Sequence, residues 1–193
     1  MAAGPTPDLP QYTLDVQALD LGQGTKAVGL ELIETESREP LTGEIAAQVW
    51  AAALPALAKD EPFVVDFFSH LDRVREFCSA HNIAFREAAQ RCIVIQQPAA
   101  AQVHELLARF EKETFGFRCG PTAANEDATL EGELSQRGLD AYQAAYTRYT
   151  FCAVCEPPDG WVTLLSETLW ASEIIRRVRP VLQPFDVYMV RPQ

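Results

Sequence analysis

The residues Tyr149–Val190 read YTFCAVCEPPDGWVTLLSETLWASEIIRRVRPVLQPFDVYMV, and this stretch decides the class of fold. Its first part, Tyr149–Cys155, is rich in aromatic and β-branched residues, which favour a strand. Glu156–Gly160 is a tight turn by composition, because proline presets the first turn dihedral and glycine accepts a positive φ. Trp161–Leu165 is the next strand-like run. The pattern therefore predicts a β-hairpin.

A helix and a further strand are predicted to follow this hairpin. Ser166 is placed to cap a helix over Glu167–Leu182, and Asp186–Val190 has the composition of a closing strand. A hairpin followed by a helix and a strand is typical of proteins in which helices pack on a sheet.

The rest of the chain repeats this alternation. Tyr12–Ala18 and Ala27–Glu34 alternate apolar and polar residues around a glycine-rich turn, which predicts a second hairpin. Three strand–helix–strand units are expected: Ala27–Val65, Cys92–Cys119 and Trp161–Val190. We therefore predict one α/β (or α+β) domain over residues 11–193, with a mixed sheet of about six strands and packed helices. Residues 1–10 are expected to be a disordered leader, and the similar spacing of 92–119 and 161–190 allows a weak internal duplication.

Composition narrows the possible partners. The 193 residues include 16 Lys and Arg against 27 Asp and Glu, a net charge of −11. Because nucleic-acid affinity comes largely from neutralising phosphates, this balance makes a nucleic-acid partner unlikely and disfavours an anionic membrane surface. No apolar run approaches a membrane span, and the first ten residues lack a signal-peptide pattern. Five cysteines, an odd number, fit a reducing cytoplasm, and abundant Ala with Arg preferred over Lys suggests a bacterial source.

The cysteines offer one candidate metal centre. Cys152 and Cys155 are spaced like a zinc knuckle or a redox couple, and Cys78 with His81 would share a helical face. Together they would complete a three-cysteine, one-histidine zinc site. The alternative is that the cysteines are small core residues, since residues three apart on a strand point to opposite faces. No other cofactor is expected.

A catalytic histidine is a second possibility. The pattern from Asp66 onward is helical, which would place His70 one turn after Asp66 and on the same face. A carboxylate in that position would raise the pKa of the imidazole and orient it for acid–base chemistry, as a small hydrolase or transferase requires. The same spacing also occurs in simple surface pairs.

The helix over Glu167–Leu182 carries the strongest signals for binding. These are two tryptophans and a group of charged residues in or just before the helix: Trp161, Trp170, Glu173, Arg176 and Arg177. Arginines suit carboxylate and phosphate groups, while tryptophans are common interface anchors. The alternative is that the arginines complement the helix dipole, that Glu173 pairs with Arg177 four residues later, and that at least one tryptophan is a core anchor. Because no catalytic motif is present, the leading hypothesis is a non-enzymatic module that binds a partner protein or forms a homo-oligomer. It predicts an exposed apolar patch formed by Trp170 or by the tyrosines Tyr142, Tyr146 and Tyr149.

Overall fold

A nine-stranded sheet forms the centre of the protein in a computed structural model, which describes residues 11–22, 24–89, 91–110, 112–124 and 128–190. The predicted first hairpin is present as β1 (Tyr12–Asp20) and β2 (Lys26–Glu34), paired antiparallel along their whole length. The leader predicted for residues 1–10 lies outside the described residues.

The remaining elements continue the alternation of strands and helices. The middle of the chain contains α1 (Gly43–Ala58), β3 (Phe63–Phe67), α2 (Leu71–Ala80), β4 (Phe85–Ala88), β5 (Cys92–Gln96) and α3 (Ala100–Arg109). The later part contains β6 (Phe115–Cys119), α4 (Pro121–Ala124), α5 (Ala128–Arg137), α6 (Leu139–Ala145), β7 (Phe151–Glu156), β8 (Trp161–Leu165), α7 (Ala171–Leu182) and β9 (Val187–Val190).

The strands lie in the order β4-β5-β3-β6-β7-β8-β2-β1-β9. Every neighbouring pair is antiparallel except β1 and β9, which run parallel. The mixed α/β class is confirmed, but the prediction of about six strands was an undercount. The clearest omission is β4, because Phe85-Arg-Glu-Ala88 carries two charges and shows no apolar alternation.

The carboxy-terminal unit has the expected order of hairpin, helix and strand. Its helix begins later than the sequence indicated. The Ser166 hydroxyl accepts hydrogen bonds from the backbone N–H groups of Thr168 and Leu169, so it organises a turn before α7 instead of capping a helix at Glu167. From β8, α7 crosses two strands to reach β9, whereas α3 connects strands separated only by β3.

Two groups of helices pack on the two faces of the sheet. The first face is covered by α1, α2, α3 and α7, which bury the larger hydrophobic cluster. The second face is covered by α5 and α6, whose buried side chains pack mainly against β3, β5 and β7. Among the described residues, β1 and β9 contribute no fully buried side chain to this second cluster. On that face, Tyr188 and Val190 of β9 are exposed, whereas Thr13 of β1 is buried and its hydroxyl lies 2.9 Å from the Thr35 hydroxyl.

Within the described ranges, no helix is both long and apolar enough to span a lipid bilayer.

Candidate functional site

The edge strand β9 is the feature of the molecule best suited to contact another protein. It enters the sheet after α7, where Asp186 adopts a left-handed conformation with φ of 54°. The Asp186 carbonyl accepts a hydrogen bond from the Tyr12 N–H (3.3 Å), and its carboxylate accepts one from the Gln11 N–H (3.0 Å). Asp186 therefore fixes β9 in register beside β1.

No charge protects β9, whose sequence is Val187-Tyr188-Met189-Val190. The Met189 side chain packs into the first-face core and is 7% exposed. Tyr188 and Val190 point to the second face, where they are 59% and 39% exposed. Large apolar side chains exposed side by side on an edge strand are uncommon, because such edges promote association.

The backbone of β9 alternates between its two sides. The hydrogen bond from Tyr12 to Asp186 and the parallel pairing direct the backbone groups of Asp186, Tyr188 and Val190 toward β1. The N–H and C=O groups of Val187 and Met189 consequently point away from the sheet. In the part of the chain that the structure describes, no strand pairs with that outer side.

A groove of about 770 Å³ runs along this outer side. The described residues that line it are β9 together with Arg179, Gln183 and Asp186, which place a basic and an acidic side chain beside an apolar strand. The groove therefore offers backbone hydrogen-bonding groups, apolar contacts and both signs of charge.

The opposite edge of the sheet is built differently. On β4, Glu87 accepts a hydrogen bond from Arg75 (2.7 Å), and Arg86 donates to the buried Glu131 (2.5 Å). Charged side chains engaged in ion pairs are a common protection against strand addition at an edge. The contrast between the two edges singles out β9.

Beneath α5 and α6, a buried group of polar side chains crosses the second face of the sheet. Asp66 on β3 and Arg118 on β6 are both fully buried and form a bidentate pair, with two N–H···O bonds of 2.8 Å. The Tyr142 hydroxyl donates to Asp66 (2.7 Å), and Arg118 donates to the Tyr149 hydroxyl (3.3 Å). Glu131, also fully buried, lies 3.5 Å from Arg118. The helical cover is thus attached to the sheet by charge-assisted hydrogen bonds.

Gly116 makes this arrangement possible. It stands opposite Asp66 in the β3–β6 pair, and a side chain at that position would overlap the Tyr142 hydroxyl. The absence of a side chain therefore lets Tyr142 reach Asp66.

The electrostatics of this group agree with a closed, structural role. Burial raises the pKa of Tyr142, and the neighbouring Asp66 charge adds to the effect. Burial opposes the charged form of Arg118, but the charge and hydrogen bonds of Asp66 outweigh it, so the pKa of Arg118 is raised. Tyr142 thus remains a neutral donor and Arg118 a cation, and both donate hydrogen bonds to the Asp66 side chain.

The structure does not bring the predicted zinc ligands together. Cys152 packs in the second-face cluster and Cys155 in the first-face cluster, because they are three residues apart on β7. Cys78 is buried in the first-face core, whereas His81 ends α2, stacks on Phe77 (4.2 Å between ring centroids) and lies 3.3 Å from Glu105. Among the described residues, no group of three or more His, Cys, Asp or Glu side chains is positioned to hold a metal ion.

The predicted pairing of Asp66 with His70 is wrong, because Asp66 belongs to β3 and not to a helix. His70 precedes α2 in a left-handed conformation, and its Nε2 lies 3.2 Å from Glu113. Glu113 also accepts hydrogen bonds from Ser69 (3.1 Å) and Arg73 (3.4 Å). His70 therefore has a carboxylate partner, Glu113. Glu113 is distant from His70 in the sequence, so helical spacing around His70 could not indicate it.

The predicted binding residues are divided between two places. Trp161 is partly buried, and its ring packs over Gly29, in the space that a side chain at position 29 would occupy. Its Nε1 donates a hydrogen bond to the Thr163 hydroxyl (2.9 Å). Trp170 is 56% exposed at the start of α7, with the Lys26 ammonium 5.2 Å from its ring centroid. The two tryptophans lie at opposite ends of the β2–β8 pair. Trp161 begins β8 opposite Glu31, whereas Trp170 comes shortly after the last residue of β8, which pairs with Ala27.

The charged residues of α7 largely satisfy one another. Glu173 accepts hydrogen bonds from Arg176 (2.7 and 2.8 Å) and from Arg177 (2.8 Å), and it lies 3.8 Å from Lys59. Arg177 also donates to the Leu57 carbonyl in the last turn of α1 (2.5 Å). Arg177 therefore joins two helices.

The patch predicted from the tyrosines is wrong. Tyr142, Tyr146 and Tyr149 are between 0% and 7% exposed, because α6 and the turn after it turn inward over the sheet. The exposed tyrosine is Tyr188, and the only signal for it was the uncharged closing strand VYMV.

The fold is that of a mixed α/β protein in which, within the described ranges, no strand pairs with the outer side of β9. Comparison with protein-family models, with curated proteins and with solved structures found no match for the chain.

Proposed function

We propose that this protein is a non-enzymatic protein-binding module that accepts an extended strand at the outer side of β9. The observation that carries the proposal is the combination of outward-facing backbone groups at Val187 and Met189 with the exposed side chains of Tyr188 and Val190. In strand addition, backbone hydrogen bonds supply affinity and side-chain contacts supply specificity. The β9 groove offers both.

The two other functions considered from sequence have less support. A metal- or thiol-dependent function would require the sulfurs of Cys152 and Cys155 to converge, and they lie on opposite faces of β7. Catalysis by His70 would require its carboxylate to activate it, but Glu113 is shared among His70, Arg73 and Ser69.

Site-specific photo-cross-linking in the source cell tests the proposal. A benzophenone amino acid replaces Tyr188 in one variant and the equally exposed Trp170 in a control variant, since Trp170 lies away from β9. We expect a defined covalent adduct from position 188 and none from position 170. Mass spectrometry then identifies the partner, which is purified for binding measurements.

Proline scanning of β9 tests whether the backbone is used. Met189→Pro removes an outward N–H while leaving the bonds to β1, and edge strands tolerate proline where the N–H faces outward. Met189→Leu is the matched control, because it changes the side chain and keeps the N–H. We expect Met189→Pro to weaken binding of the purified partner about tenfold relative to Met189→Leu. Equal affinities, or an adduct only from position 170, would contradict the proposal.

A further inference from the structure

We infer that the strand received by β9 is β9 of a second copy of this chain, related to the first by a two-fold axis at Tyr188. The inference rests on the proposed function, since it names the partner that uses the same edge. It follows from the register of the outward backbone groups and from the distribution of charge around them.

The register of β9 is self-complementary. In an antiparallel pair, two opposed residues whose backbone groups face each other exchange both of their hydrogen bonds. Val187 and Met189 are the residues of β9 with outward groups. Placing Tyr188 opposite Tyr188 of the second copy brings each Val187 opposite Met189 of the other copy. All outward backbone groups of both strands are then paired.

The side chains agree with this two-fold arrangement. Tyr188 would occupy a non-hydrogen-bonded position, where opposed side chains approach most closely and aromatic pairs pack well. Its exposed ring would contact the ring of the second copy on the second face of the sheet, beside the exposed Val190.

The charges at the groove also suit a second copy. Among the described residues, the charged side chains of the groove are Arg179 and Asp186, which have opposite signs. In the two-fold register Asp186 lies opposite Val190 of the other strand, so the acidic groups are not placed against each other. No residue of β9 itself is charged, and an interface of this symmetry requires the same patch to be complementary to itself.

Disulfide trapping tests the predicted register. Opposed residues in a non-hydrogen-bonded antiparallel pair are close enough for a disulfide, so Tyr188→Cys should give a covalent dimer under mild oxidation. The native cysteines are all buried, which limits competing reactions. Trp170→Cys is the control, because it exposes a thiol elsewhere. We expect a covalent dimer from Tyr188→Cys and monomer from Trp170→Cys. Equal yields of dimer, or none from Tyr188→Cys, would overturn the inference.

Charge variants test the same interface without a covalent bond. Sedimentation equilibrium is measured for Tyr188→Lys, for Tyr188→Glu and for their mixture. Like charges placed directly opposite each other should weaken each homodimer about tenfold or more, whereas the mixture should recover a heterodimer. Trp170→Lys should dimerise like the natural chain. A mixture no tighter than its components, or a natural chain that stays monomeric, would overturn the inference.

Failure of the second-copy inference and failure of the proposed function give different results. If the natural chain is monomeric but position 188 cross-links to another protein whose binding Met189→Pro weakens, β9 is still a strand-accepting edge and only the second copy is excluded. If neither a second copy nor another protein uses β9, both are excluded.

Discussion

Asp66 and Arg118 show how a few buried charges organise this protein at the scale of single residues. The two side chains are fully buried and pair in a bidentate geometry; Asp66 also accepts a hydrogen bond from Tyr142, and Arg118 donates one to Tyr149. A buried ion pair of this kind is not in itself a source of large stability, because desolvation offsets the attraction. Removing one partner is costly, since it leaves the other charge buried without compensation.

Asp66→Ala is therefore expected to destabilise the fold by about 3–5 kcal/mol, because Arg118 loses its main counter-charge. Urea unfolding followed by circular dichroism measures the change. The double variant Asp66→Leu with Arg118→Met removes both charges, and we expect it to be more stable than Asp66→Ala alone. A single variant as stable as the natural chain would show that Arg118 has another adequate partner.

Glu173 should make stability depend on pH in the acid range. Hydrogen bonds from Arg176 and then Arg177 lower the pKa of Glu173 to about 2, below the value of about 4.3 for an unfolded chain. A lowered folded-state pKa gives stability that is present above the unfolded value and is lost as the pH falls toward 2. The melting-temperature difference between the natural chain and Glu173→Gln should thus be largest above pH ~5 and vanish near pH ~2.

The same comparison in an Arg176→Ala, Arg177→Ala background provides the control, because both hydrogen-bond donors to Glu173 are then absent. If a pH-dependent difference persists in that background, the arginines are not its cause.

At the scale of elements, Arg177 attaches α7 to α1, in addition to the apolar face of α7 and the ion pair between Glu173 and Lys59 at the end of α1. Arg177 is 12% exposed and donates to the Leu57 carbonyl near the end of α1, where carbonyl groups lack a partner within the helix. Ile174, Val178 and Leu182 of α7 pack in the first-face core alongside this contact. Since β9 follows α7 directly, the position of α7 also determines how β9 meets the sheet.

Arg177→Ala and Arg176→Ala form a matched pair that tests this attachment. Arg176→Ala removes two hydrogen bonds to Glu173 and Arg177→Ala removes one, but Arg176 is 64% exposed, and only Arg177 of the two donates to Leu57 of α1 in the described structure. We expect a loss of about 1.5–3 kcal/mol for Arg177→Ala and less than about 1 kcal/mol for Arg176→Ala by chemical denaturation. Equal losses would mean that the Leu57 contact contributes nothing measurable.

At the scale of the whole molecule, burial of every cysteine makes thiol chemistry a measure of global unfolding. Burial raises the pKa of Cys78 to about 11 and is the main cause that raises the pKa of Cys119 to about 12, so reactive thiolate is scarce near neutral pH. We expect iodoacetamide to label the native protein slowly and all five cysteines rapidly in urea, as measured by intact mass. Fast labelling of one native cysteine would contradict this expectation and support a thiol-dependent function.

The net charge of −11 gives the proposed dimer a characteristic response to salt. Two acidic chains repel each other, and raising the ionic strength from about 0.05 to 0.5 M screens that repulsion. We therefore expect sedimentation equilibrium to show tighter dimerisation at the higher salt concentration. Weaker dimerisation at high salt would indicate that ion pairs across the interface dominate the association, contrary to an interface built on an uncharged strand.

Local patterns in the sequence were enough to determine the two hairpins, the final helix and the strand β9. The apolar–polar alternation of Tyr12–Ala18 and the turn composition of Glu156–Gly160 each involve only a few neighbouring residues. The local structure that they predict therefore depends little on the rest of the chain. The opposite orientation of Cys152 and Cys155 followed from the same local rule, which argued against a shared metal ion. The strand β4 escaped prediction because its charged residues carry no such pattern.

Only the tertiary structure decided which strands are neighbours, which edges remain open and which polar residues are buried. The sequence around Asp66 indicates a helix, yet pairing between two strands and the cover of α5 and α6 make it a buried strand residue beside Arg118. Tyr188 is exposed and Tyr142 buried because of where their elements lie, not because of their own composition. These outcomes depend on contacts between distant parts of the chain, and such contacts leave no periodic signal in one sequence.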